Sequence, residues 1–248
     1  MKKKLAIAAV WILIWAAAAW LIGNDILFAG PAATVRALIE LVRTGSFWLS
    51  VLNSLAMIAL GFLIGTALGL VLAPLSYRFR TFGDFLSPAV SFLKAAPVVS
   101  FIIIVLIWAG SRAASMIISA VVVFPIIYIS VLGGLKSADP AMKEMAYVMR
   151  MPLKNRARFI YWPAVRPGLS SALSLACGMS WKSGVAAEVI GQPLSTIGNG
   201  MYRAKIYLDT AQLFAWTIVT IALSWLFEKA VSAAVSGKRR GRRRNADS

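Results

Sequence analysis

The sequence predicts an all-α integral membrane protein of six transmembrane helices, and three observations lead there. Hydrophobic residues make up 60% of the 248-residue chain, well above the share in a soluble domain. Several uncharged apolar runs approach or exceed bilayer-crossing length. The basic residues behind the net charge of +17 cluster between and beyond those runs. On a soluble domain that charge would suggest nucleic acid; here membrane orientation accounts for it, and the expected surroundings are a lipid bilayer and no nucleic acid.

The first span is Leu5 to Ile22, uncharged behind the basic Met1–Lys4 cluster. The small residues Ala17 to Ala19 also fit a cleavable signal peptide, but Trp20-Leu21-Ile22 carries the run past them. Asn24 to Phe47 follows outside. Within it Pro31 suits a helix start, and Val35, Leu38, Ile39 and Val42 share one face. That pattern fits a short amphipathic helix at the outer surface and equally a connector packed on the bundle.

The second span, Trp48 to Leu75, repeats Gly61, Gly65 and Gly69 at four-residue spacing, a stripe without side chains where another helix can approach. Tyr77 to Phe85 reads as a short internal loop. The third span starts near Phe92, with Lys94 reaching back toward the inner headgroups. Gly110-Ser111-Arg112 is a tight external turn, and Ala113 to Leu135 is the fourth span, with a kink expected at Pro125.

After the polar stretch Lys136 to Pro167 comes a fifth span, Gly168 to Val189, interrupted by Lys182 and closed by Glu188. Ile190 to Gln212 is external and turn-rich. Leu213 to Phe227 is the body of the sixth span, with Glu228-Lys229 at its inner end. Residues 1–235 form the transmembrane domain with its coupling segment at 136–163, and 236–248 form a basic cytoplasmic tail expected to be disordered. Six spans return the C-terminus to the cytoplasmic side with the N-terminus. Seventeen cations then fall inside against five outside, as the positive-inside rule requires.

The composition excludes much chemistry. There is no histidine and a single cysteine, Cys177, so disulfides within the chain, Cys/His zinc sites and histidine triads are all ruled out. No phosphate loop with the required glycine spacing occurs, so nucleotide energy would have to come from another chain. No catalytic or metal-binding residue is expected.

The polar stretch carries seven cations and only two acids, Asp139 and Glu144. Asp139-Pro140 can open a helix that runs to Met149; Met151-Pro152 interrupts; Leu153 to Tyr161 can form a second helix, with Pro163 closing it. Two short helices at a bend make a knob able to fit a partner's cleft and transmit motion. A solvated basic loop has the same composition.

These residues resemble a known family. Glu144-Met145-Ala146, three residues, Arg150, nine residues, Ile160, one residue, Trp162 and Pro163 match the spacing of the E-A-A-x3-G-x9-I-x-L-P signature. That signature marks permease subunits of bacterial ABC importers, the binding-protein-dependent transport system inner-membrane component family. The resemblance implies a type I ABC importer permease fold in the bacterial inner membrane, a second permease subunit as homodimer partner, two ATPase subunits docked on the coupling helices, and an external solute-binding protein. It implies that ATP and Mg are bound by the ATPase chains, with no cofactor in this one. The chain departs from the signature at Met145, Arg150 and Trp162; Arg150 stands where the family has glycine, and Pro152 offers another means of bending.

Ser180 to Glu188 followed by Ile197-Gly198-Asn199-Gly200 resembles the nitrate, sulfonate and taurine branch, which implies a small, often anionic solute. A lysine in a bilayer is costly unless it faces a cavity or partner, so Lys182 is a candidate for the translocation path, with Ser180 and Ser183 as donors and Glu188 nearby. Satisfaction of Lys182 by a neighbouring helix carbonyl or by Glu188 of another subunit fits as well. The rival classes are a stand-alone transporter or channel without ATPase subunits and an intramembrane enzyme; the missing histidine and paired carboxylates argue against the enzyme.

Overall fold

The structure is a computed structural model that describes residues 2–236; the basic tail, from residue 237 onward, lies outside them. Helices account for every regular element among the described residues. In chain order they are α1 (Lys2–Ile22), α2 (Pro31–Val42), α3 (Gly45–Arg78), α4 (Arg80–Ala95), α5 (Val98–Lys136), α6 (Pro140–Val148), α7 (Leu153–Arg156), a π-helical turn (Ala157–Tyr161), α8 (Trp162–Gly191), α9 (Ile197–Ile206) and α10 (Thr210–Ser236). By length and composition α3, α5 and α10 are apolar enough to cross a membrane, and Ala9–Ile22 within α1 is a shorter apolar helix.

α2 forms where expected, with Pro31 in its first turn. Its buried residues are Thr34 and Ala37, while Val35, Ile39 and Val42 are exposed. The small face packs inward on the bundle, while Val35, Ile39 and Val42 point away from it.

The centre of the fold is α3, α5 and α8. Gly61 of α3 lies against Met116 and Ser119, Gly65 against Ala120 and Val123, and Gly69 against Ile127 and Tyr128. Rising numbers on both helices show that α3 and this part of α5 run parallel. α8 runs the opposite way, with Gly184 against Ser119 and Val165 against Gly134. The largest core cluster joins Phe62, Phe124, Ile127, Tyr128, Leu169 and Leu173.

Several sequence expectations are corrected. Tyr77 to Phe85 is no loop: only Phe79 is extended (φ −118°, ψ 100°), and α4 starts at Arg80. The charges that suggested a loop are one face of an amphipathic helix: Arg80, Asp84, Ser87, Ser91 and Lys94 recur at helical spacing. Leu86, Val90 and Leu93 turn to the core instead. No helix starts at Phe92, because Pro97 lacks an N–H and biases Ala96 out of the helical region; Ala96 sits at φ −70°, ψ 142°, and helix resumes at Val98.

Gly110, at φ 72° and ψ 176°, divides α5 into arms 98–109 and 111–136, as the expected turn requires; Pro125 lies inside continuous helix, so the departure from helical geometry is at the glycine. The arms fold back on each other: Ile102 shares a buried cluster with Ala114 and Ile118, which a straight helix would hold about 18 Å or more away.

Three further boundaries move. Pro163 does not close the second short helix; it lies in the first turn of α8, which begins at Trp162 rather than Gly168. The chain reaches it through a π turn in which the Trp162 N–H bonds Ala157 O, five residues back, just before the proline that cannot donate. Residues 190–212 include the helix α9, capped by the Thr196 hydroxyl. Glu228 and Lys229 lie within α10 instead of ending it: the Ser174 hydroxyl donates to Glu228, and Lys229 rests over Trp225.

Candidate functional site

The segment between α5 and α8 folds into a knob with its own small core. Asp139 caps α6 by accepting the Ala141 N–H at 2.9 Å, with Pro140 in the first turn. α6 then ends at a left-handed residue, Arg150 (φ 49°). The Arg150 N–H donates to Tyr147 O at 3.0 Å and the Met151 N–H to Ala146 O at 2.9 Å, the paired reverse bonds of a Schellman end. The bend is made at the position where glycine was missed, and not at Pro152, which caps α7.

One side chain that sequence reasoning passed over holds this geometry. Arg156 donates through Nε to Met151 O at 2.8 Å and through Nη2 to Ala146 O at 3.3 Å. Its guanidinium thus binds carbonyls at the C-terminal end of α6, where a cation is favoured. An arginine eight residues past the end of a short helix, across a bend, is no periodic signal.

Ala146 is 0% exposed, clustered with Ala138 and Ile160 and covered by Met151, Tyr161 and Ala164. Glu144, Met145 and Pro163 face outward. Tyr147, Val148, Met149 and Leu153 at the tip are largely exposed, an apolar surface on a polar segment. Burial therefore divides the motif: Ala146 and Ile160 build the knob, while Glu144 and Met145 lie on its surface.

At the opposite end of α8 the four proposed path residues do not come together. Lys182 is exposed, whereas Ser180, Ser183 and Glu188 are buried. Ser180 donates to Cys177 O at 2.8 Å and Ser183 to Met179 O at 2.8 Å, bonds within their own helix. Neither hydroxyl reaches toward Lys182. Glu188 is 0% exposed: one oxygen accepts from the Ser54 hydroxyl at 2.7 Å and the Gly198 N–H at 3.1 Å. Ser54 in turn accepts the Ile197 N–H at 2.9 Å. Glu188 and Ser54 together satisfy two free N–H groups at the start of α9, tying α3, α8 and α9 at one point. Glu188 thus stands at a junction between three helices, apart from Lys182.

The glycine stripe of α3 is a contact surface. A Cβ at Gly61 would stand 2.2 Å from Met116 O, one at Gly65 2.7 Å from Ala120 O, and one at Gly69 2.8 Å from Ile127 Cβ.

The model of the binding-protein-dependent transport system inner membrane component family matches residues 65–235, from the α3 stripe through the knob to α10. The chain belongs to that family. A protein named as an aliphatic sulfonates transport permease from Bacillus subtilis (strain 168) is 26% identical over 88% of this chain and 79% of its own length. A bicarbonate transport system permease protein from Synechococcus elongatus is 28% identical over 64% of this permease and 58% of its own length. A solved bacterial ABC transporter involved in import of the acidic polysaccharide alginate aligns with a TM-score of 0.63 at 17% identity, covering 95% of both chains, so the fold is shared. This permease is therefore the membrane component of a binding-protein-dependent importer, a subunit that is not itself an enzyme.

Proposed function

We propose that this permease is one of two identical subunits in an ATP-driven importer that moves a small anion, such as a sulfonate, nitrate or taurine, from an external binding protein to the cytoplasm. Six crossings are assigned to α1, α3, α4 with the first arm of α5, the second arm of α5, α8 and α10. Both termini are cytoplasmic, and residues 1–235 form the membrane domain, followed by a basic tail. Two ATPase subunits, which bind ATP and Mg, dock on the knobs at Glu144, Met145, Arg150 and Pro163, on a shape that the buried Ala146 and Ile160 hold from inside.

The observation that carries this reading is the knob: a self-packed bend around Ala146 that presents Tyr147, Val148, Met149 and Leu153. Such a surface is stabilised by an apolar cleft and fits a loop in water poorly. The anionic solute is supported by the names of the sulfonate and bicarbonate relatives and by Lys182, a cation on the outside of the protomer within α8. ATP binding would close the ATPases and shift the spans between two conformations, so the chain acts through differential stabilisation.

The test is purification with the ATPase genetically tagged, followed by transport in proteoliposomes. Ala146→Leu is expected to leave insertion intact and to cut ATP-dependent uptake at least tenfold while ATP hydrolysis continues. A purified transporting assembly without ATPase chains would overturn the reading in favour of a stand-alone transporter. For the path, Lys182→Met is expected to lower anion uptake at unchanged ATPase docking; unchanged uptake removes Lys182 from it.

A further inference from the structure

The groove between α3, α4 and α5 has a volume of about 740 Å³, and the whole polar stripe of α4 faces it. Its walls carry Arg80, Lys94 and Lys136 against one acid, Asp84, with the hydroxyls of Ser87 and Ser91 between them. At its back the Tyr128 hydroxyl donates to Ser76 Oγ at 2.9 Å, both residues being buried.

Depth along the bundle follows from helix rise. The first arm of α5 descends from Gly110 for about 18 Å, whereas the second arm covers about 39 Å to Lys136. The break at Ala96–Pro97 therefore lies near the middle of the bundle. α4, about 24 Å long, covers the rest of the way back to the knob end, where α3 finishes. Arg80 and Lys136 thus stand at the mouth and Lys94 near mid-depth, at the inner end of a lane of serines.

Two features of this lane do not suit contact with lipid. A cation and hydroxyls at that depth are costly against hydrocarbon. Extended backbone at Ala96 and Pro97 is tolerated there where it borders protein or a water-filled cavity. Lys94 stands in the last turn of α4, where the free carbonyls of the helix end favour a cation.

We propose that this groove is an aqueous vestibule opening at the knob end, and that Lys94, with Ser87 and Ser91, forms an anion-binding site at its inner end for a sulfonate- or carboxylate-bearing solute. The assignment of solute class rests on the importer function proposed above; the groove's wetness and its charge preference do not. Arg80 and Lys136 raise the local anion concentration at the mouth, and Lys94 holds the charge where the crossing is broken.

The test uses the full chain in nanodiscs with Ser91→Cys as the reporter, since native Cys177 is buried and the unsubstituted chain supplies the blank. Nanodiscs expose both faces, so the readout does not depend on orientation or on the ATPase. The probes are methanethiosulfonate reagents bearing either a sulfonate or a quaternary ammonium. The sulfonate reagent is expected to label position 91 faster relative to the ammonium reagent than it labels a small thiol in solution, on the order of tenfold. Adding Lys94→Gln is expected to remove most of that preference, leaving the part due to Arg80 and Lys136, while both reagents still react. An unchanged preference in the Lys94→Gln chain overturns the site. Failure of either reagent to react overturns the vestibule, because lipid or a second subunit then fills it. In either case co-purification with the ATPase still reports separately on the importer reading.

Discussion

Arg150 holds a backbone conformation that costs a side-chain-bearing residue about 1 kcal/mol or more, and it does so where two reverse hydrogen bonds and Arg156 fix the bend. Arg150→Gly should therefore be accepted, with an equal or higher melting temperature in detergent, whereas a β-branched Arg150→Val should lower it by an amount corresponding to about 1–2 kcal/mol. At Glu188 the expectation runs the other way. Glu188→Ala leaves the Ser54 hydroxyl and the Gly198 N–H without their buried acceptor, about 1–3 kcal/mol for each group. Amide exchange measured by mass spectrometry should speed up in α9 while the second arm of α5 keeps its protection. Gly198→Ala should act at the same place, because a Cβ there would lie 2.3 Å from that of Glu188.

Among the elements, the packing of α3 on α5 is the most exacting. Gly65→Ala pushes a methyl group against Ala120 O and Val123 Cβ, and an overpacked contact of this kind costs about 1–3 kcal/mol. Gly45→Ala, where nothing lies within 4 Å, should leave the melting temperature unchanged in the same assay. This stripe was legible because its spacing is the helical repeat itself. The knob was legible through local signals, Asp139-Pro140 at one end and Met151-Pro152 at the bend. α4 was not, although its stripe has the same periodicity, because charges next to an apolar run look like a loop until the core-facing Leu86, Val90 and Leu93 are counted. Glu188 was misread for a different reason: its partners Ser54 and Gly198 lie on other elements, and no spacing along one helix reports them. Neither could the sequence weigh Ser180 and Ser183, whose hydroxyls turn back onto their own helix.

At the scale of the whole molecule, the same residues describe how force could cross the bilayer. Between Leu153 and Gly191 the chain is helical throughout, because the π turn joins α7 to α8 without an extended residue. On the other side the knob hangs from α5 by the short link Ser137 to Asp139. One attachment is continuous helix, and the other is a three-residue link whose Ala138 is packed into the knob's own core. The knob is therefore the short arm of a crank whose shaft, about 58 Å long, ends beside Glu188. There the carboxylate holds the start of α9, so under the proposed docking a push on the knob would be delivered to a helix at the far end of α8, with α5 as its bearing.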